Sequence, residues 1–179
     1  MLCLFVCRLR WVQVSHHLFV FYLMDADVVA PYYDIFEEMQ VEHAPVLHAH
    51  LSNMGVKPCM YIFSWLQTLF LQVLPFDIAS RVWDNFMLDG AVYLFRTALA
   101  IVDLLGPHLL REEFEVCMPI LQQKPRHREL WKKAVSEANL FKAIDAVNVS
   151  VVSAKKLVAL VEDPFFYDKE QQQQRQKER

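Results

Sequence analysis

Three histidines stand close together at positions 43, 48 and 50, and imidazole is the side chain most often found on transition metals. Their spacings of five and two do not put donors on one helical face, however, and His43 and His50 lie two turns apart. No metal site is expected. Glu37 and Glu38 are adjacent, so they project from different sides of a helix and are not a matched acid and base. Cys3, Cys7, Cys59 and Cys117 form no C-x-x-C pair and fit free thiols in a reducing compartment better than a disulfide framework. Ser15, Ser52, Ser64 and Ser80 sit in no G-x-S-x-G elbow. Gly55, Gly90 and Gly106 are too far apart for a G-x-G-x-x-G or P-loop phosphate cradle. Neither hydrolase chemistry nor a bound cofactor has positive support. The best-defined charged group is Arg81, with Asp77 four residues before it and Asp84 three after. Exposed pairs at these spacings contribute only about 0.3 to 0.5 kcal/mol each, so this cluster reads as a salt-bridged helix face. Trp83, on the apolar side of the same helix, reads as a core anchor.

The elements that position these residues are helical. The chain has 179 residues, 55% hydrophobic and 22% charged, which is material for one domain with a buried core. With so few glycines, tight β-hairpins are disfavoured and an all-α domain is expected. Asp25 and Asp27 favour a helix start, Pro31 suits a first turn, and Phe36, Met39, Leu47, Leu51 and Met54 carry one apolar stripe as far as Gly55. Pro58 and Pro75 bracket a core helix, whose Ser64, Gln67, Thr68 and Gln72 argue against a membrane span. Asp77 opens an amphipathic helix that Gly90 ends. Ala91 to Leu105 is apolar nearly all round, which predicts a central, buried helix stopped by Gly106-Pro107. Stripes at Leu109 to Leu121 and at Trp131 to Ile144 follow, with a last short helix from Ser153 to Val161.

Both ends differ from this pattern. Residues 1–24 hold two apolar runs, but Arg8, Arg10, His16 and His17 interrupt them, so they fit neither a spanning helix nor a signal peptide. Residues 164–179 are polar and low in complexity and read as a disordered, solvated tail. The net charge of -3 gives no reason to expect a nucleic-acid partner. Residues 25–56 hold six acids and no Lys or Arg, a run that reads as solvated surface.

The spaced residues of the middle region are more specific. Trp65, Thr68-Leu69-Phe70, Leu74-Pro75, Arg81-Val82-Trp83-Asp84, Asp89-Gly90 and Leu94-Phe95-Arg96-Thr97-Ala98-Leu99 together resemble the carboxyl-terminal block of the TBC domain. Met24 to Tyr32 resembles the helix start that precedes this block, and the likeness extends to about Leu121. The resemblance implies an all-helical fold in a Rab GTPase-activating family. It also implies membrane traffic as the setting, a Rab-type small GTPase as partner, and a cytoplasmic location with peripheral association to endomembranes. In this family Trp65, Pro75, Arg81, Trp83, Asp84 and Gly90 would be structural block residues.

The family's chemistry comes from an arginine that stabilises transition-state charge, a contribution of roughly 10³ to 10⁵ in rate, and a glutamine that orients water. Its motifs are I-x-x-D-x-x-R and Y-x-Q. In this chain no Asp is followed three residues later by Arg, and no Tyr two residues later by Gln. No catalytic residue is therefore assigned, and any activating role is expected of a full-length relative. The expected organisation is an unmatched apolar leader at 1–24, a carboxyl-terminal TBC-like half at 25–147, a helical extension at 148–163 and the tail. The alternative is a non-catalytic helical interaction module. Some neighbours of the central helix are expected to come from outside this region.

Overall fold

Asp25 caps the first long helix by accepting the Asp27 N–H at 3.1 Å, an N-cap of the kind acids provide. The structure, a computed structural model, describes residues 20–163 apart from Met24, and all regular elements among them are helical. In chain order these are α1 (Val20–Leu23), α2 (Ala26–His43), α3 (Pro45–Asn53), a 3₁₀ turn (Pro58–Met60), α4 (Ile62–Gln67), α5 (Phe76–Asp89) and α6 (Ala91–Leu109). They continue with α7 (Phe114–Leu121), a 3₁₀ turn (Pro125–His127), α8 (Arg128–Ala134), α9 (Glu137–Ala146) and α10 (Val151–Glu162). The tail at 164–179 and the leader up to residue 19 lie outside the described residues.

Several boundaries differ from the sequence expectation, each for a backbone reason. The stripe from Phe36 to Met54 belongs to two helices, because Pro45 disfavours helical φ/ψ at the residue before it and Ala44 sits at φ -137°, ψ 66°. Pro31 lies in the helix body, not in the first turn. The segment between Pro58 and Pro75 is not one helix: Leu69 and Phe70 adopt left-handed φ of 49° and 65°, which ends α4 in a run of turns. The Phe70 amide donates to Trp65 O at 2.7 Å across the end of α4. Gly106-Pro107 does not stop α6, which runs on to Leu109. Pro107 accepts a helical φ and removes only one donor near the carboxyl end, while a Cβ on Gly106 would stand 3.2 Å from Leu47 Cδ2, so Gly106 lets α3 approach α6 closely. The stripe from Trp131 to Ile144 is divided between α8 and α9.

The central helix is α6. Its buried residues include Leu94, Phe95, Ala98, Leu99, Ile101 and Leu105. Alone among the described helices it is long and apolar enough to cross a membrane, yet 67% of that window is buried inside the protein. The chain's own helices pack around it, with α9 and α5 as the closest partners, then α10, α2 and α3, while Asp103, Pro107 and His108 stay exposed.

The outer helices are tied to this centre by polar contacts. In α1 the Tyr22 hydroxyl donates to Gln67 O at 2.6 Å, and Phe21 packs edge-on to Tyr32 at 5.2 Å, so the end of the leader belongs to the core. Much of the acidic run is engaged rather than simply solvated. Glu42 accepts from the Ser150 and Ser153 hydroxyls at 3.1 and 3.0 Å, Glu38 holds Lys156 at 2.7 Å, and together they seat α10 on α2.

Candidate functional site

Trp65, Pro75 and Trp83 stand at the turn between α4 and α5 and Gly90 at the junction between α5 and α6, while Arg81 and Asp84 lie in the middle of α5. Trp65 is fully buried in α4, with its ring edge-on to Trp131 at 5.9 Å and tilted against Tyr61 at 5.2 Å. Trp131 in turn donates from Nε1 to Ile120 O at 2.7 Å, which ties α8 to α7. Pro75 sets the entry of α5, whose φ of -55° and ψ of 149° end the irregular segment before it.

Trp83 is half-buried, not the fully buried anchor its position suggested. Its indole Nε1 donates to Leu69 O at 2.8 Å and its ring meets the exposed Phe76 edge-on at 6.0 Å. The bond lands on the carbonyl of a left-handed leucine, so Trp83 holds the strained 69–70 turn in place. A left-handed φ at a residue with a side chain costs about 1 to 2 kcal/mol, and such turns persist only where neighbours enforce them. Trp83→Phe keeps most of the packing and removes the donor. It is expected to lower stability by about 1 to 2 kcal/mol, the effect of stranding a partly buried carbonyl. Urea denaturation of the two proteins measures it, and coincident transitions would show that the indole bond does not hold the turn.

Arg81 does not make the intrahelical pairs its spacing suggested. It reaches across to Glu137 at the start of α9, and its guanidinium stands 4.5 Å over the Phe141 ring. This bridges α5 to α9, two helices that both pack on α6. The Arg81–Glu137 pair is more than a third exposed on both sides, so its contribution is orientation more than stability. Asp84 is exposed on the outer face of α5. Gly90 joins α5 to α6 at φ 73°, ψ -164°, a conformation open essentially to glycine alone.

No group of three or more metal-ligating side chains exists among the described residues. His48 instead pairs with Glu37 at 3.1 Å, and His50 lies 3.0 Å from Leu109 O. Cys59 is an exposed free thiol, while Cys117 is a buried one whose thiol burial pushes up.

Two concave features bring together residues that sequence spacing keeps apart. One, of about 350 Å³, is floored by Val73, Ile78 and Trp131 and also lined by Gln72, Gln123 and Arg128. Gln123 is committed there as a donor to Val73 O at 2.8 Å. The other, of about 310 Å³, lies between α2, α3 and the Val56–Cys59 segment and is mainly polar. No local pattern marks either, because their residues converge only through the packing of α2 on α3 and of α8 near α5.

Residues 5–110 match the family model described as Rab-GTPase-TBC domain. The match therefore takes in most of the apolar leader as well as the block. Drainin of Dictyostelium discoideum is 27% identical over 142 residues, covering 79% of this chain and 30% of that protein. TBC1 domain family member 14 of Bos taurus is 38% identical over 94 residues, which are 52% of this chain and 14% of the relative. TBC1 domain family member 12 of Xenopus tropicalis is 33% identical over 129 residues, 72% of this chain and 18% of the relative. The chain spans less than a third of the length of each of these relatives.

Proposed function

The chain belongs to the Rab-GTPase-TBC domain family, and we propose from this that it engages a Rab-type small GTPase without accelerating hydrolysis by itself. The observation that carries this is the block from Trp65 to Leu99 in a sequence that holds neither I-x-x-D-x-x-R nor Y-x-Q. The helical scaffold around α6 supplies a surface, but neither motif is present to supply the arginine charge and water-orienting amide that the reaction needs. Arg81 does not stand in, since it is engaged with Glu137 and Phe141. Its cellular place, on this proposal, is the cytoplasmic face of endomembranes, with no part in nucleic-acid binding.

Single-turnover hydrolysis by GTP-loaded Rabs, measured with and without the chain, tests the catalytic half of the proposal. The rate is expected to stay within about threefold of the intrinsic one, against the 10³-fold or more that a finger arginine provides. Stimulation of a hundredfold on any Rab would overturn it. Adding an amino-terminal TBC half that carries both fingers is expected to restore activation.

A second reading, an interaction module that needs no such complement, is supported by the packing of α6 against helices of this same chain. A monomer in light scattering that ignores the added half would select it.

A further inference from the structure

The 350 Å³ cavity where α8 packs near α5 is floored by the buried side chains of Val73, Ile78, Trp131 and Val135. Trp131 is held in place by its indole bond to Ile120 O and by the Trp65 ring against it. Water on such a floor finds few polar partners, so an apolar group that displaces it gains free energy. On the wall, Gln72 is exposed, and its amide can pair with a polypeptide main chain. The volume lies at the lower end of the range for ligand sites and suits an apolar side chain better than a nucleotide.

Charge at the rim is one-sided. Among the described residues that line the cavity, Arg128 and Lys132 are the only ionisable ones, and both are exposed cations. They stand one turn apart on α8, which separates their Cβ atoms by about 5 to 6 Å. Arg128 has no carboxylate partner among the described residues. Lys132 has Glu129, in a pair that is 70% and 85% exposed and therefore weak. Glu137, the next acid along the chain, is engaged by Arg81. Lys124, Arg126 and Lys133 add to the same sign, so residues 124–133 carry five cations and one acid. An anion is attracted to the mouth of the cavity, and an apolar group beside that anion is attracted to the floor.

We propose that this cavity is a docking site for a partner polypeptide in which a leucine-sized apolar residue precedes two acidic ones, with the apolar side chain on Trp131 and Val135 and the carboxylates on Arg128 and Lys132. A polypeptide suits it better than an anionic lipid, because two cations a turn apart match separate carboxylates along a chain and Gln72 offers its amide to a peptide main chain. The site would hold whether or not the chain engages a GTPase.

The test is a titration of the whole chain with the peptide acetyl-Ser-Gly-Leu-Asp-Asp-Gly-amide, followed by amide chemical shifts. Saturable shifts are expected along residues 72–78 and 128–136. Alanine in place of the leucine is expected to weaken binding at least about tenfold, through the apolar burial it forgoes. Asparagines in place of both aspartates are expected to weaken it about tenfold, through loss of the charge-assisted pairs. Arg128→Gln, at an exposed position, is expected to weaken the acidic peptide about threefold to fivefold and to leave the asparagine peptide unchanged, a split that a general loss of structure would not produce. Equal binding of the acidic peptide and either of its variants, an unchanged affinity in the Arg128 variant, or the absence of saturable shifts at this cavity would each overturn the proposal. Binding to phosphatidylserine vesicles with no response to the peptide would overturn it too, and would make the basic rim a membrane contact.

Discussion

Trp65→Ala is expected to lower the stability of the chain by about 3 to 5 kcal/mol, the range for removing a large aromatic side chain from a close-packed core. Trp65 is completely buried, and its ring faces Trp131 edge-on, with Tyr61 and Phe70 on its other sides. Four rings, from the residue before α4, α4 itself, the turn after it and α8, thus meet around Trp65, and truncation leaves a void that none of them can fill without leaving its own rotamer well. Trp65 Nε1 has no hydrogen-bond partner, so the loss is one of packing alone. Trp65→Phe is therefore expected to cost clearly less, about 1 to 2 kcal/mol, because it keeps an aromatic ring and strands no acceptor. Trp131→Phe, of equal volume change, is expected to cost more than Trp65→Phe, since it also loses the indole hydrogen bond to the Ile120 carbonyl, which keeps only the Gln123 N–H. Guanidinium denaturation of the three variants gives the order directly. A Trp65→Ala midpoint close to that of the parent chain would mean that the aromatic cluster is not the organising centre of this half of the fold.

The same cluster shows what the sequence could and could not reveal. The α5 stripe and the apolar α6 were legible because helical periodicity is a local property, and both are long enough to display it. The break at Pro45 was marked by a residue that signals it, but the apolar stripe continued across the break and concealed it. The turn at Leu69-Phe70 had no sign at all: left-handed φ is a glycine habit, and here two bulky residues adopt it under the constraint of Trp65 packing and the Trp83 indole bond. Arg81 illustrates the other limit. Its pairs with Asp77 and Asp84 were visible at fixed spacing, whereas Glu137 and Phe141 come from a helix more than fifty residues away and prevail by geometry. The acidic run was in plain view as sequence, but that Glu38 and Glu42 seat α10 depends on residues more than a hundred positions away.

Gly90→Ala is expected to lower the stability of the chain by about 1 to 3 kcal/mol. The cost does not come from collision, because a Cβ built at Gly90 meets nothing within 4 Å. It comes from the backbone: at φ 73° and ψ -164° an L-residue is in a region essentially closed to it, at about 1 to 3 kcal/mol. Gly106→Ala offers the opposite balance. There the backbone is helical, and alanine gains about 0.5 to 1 kcal/mol of helix preference, but the new methyl stands 3.2 Å from Leu47 Cδ2, the far end of a flexible side chain. The net change at Gly106 is expected to be within about 1 kcal/mol of zero. Thermal unfolding of both variants separates backbone strain from crowding, and an equal fall in Tm at the two sites would overturn the distinction. The consequence reaches beyond stability. Gly90 fixes the angle at which α5 leaves α6, and that angle brings Arg81 over Phe141 and against Glu137. If alanine at 90 forces the junction toward an ordinary φ, the Arg81 bridge to α9 is expected to be lost with it. Adding Glu137→Gln to Gly90→Ala should then cause no further loss, whereas in the parent chain the same substitution should cost up to about 1 kcal/mol.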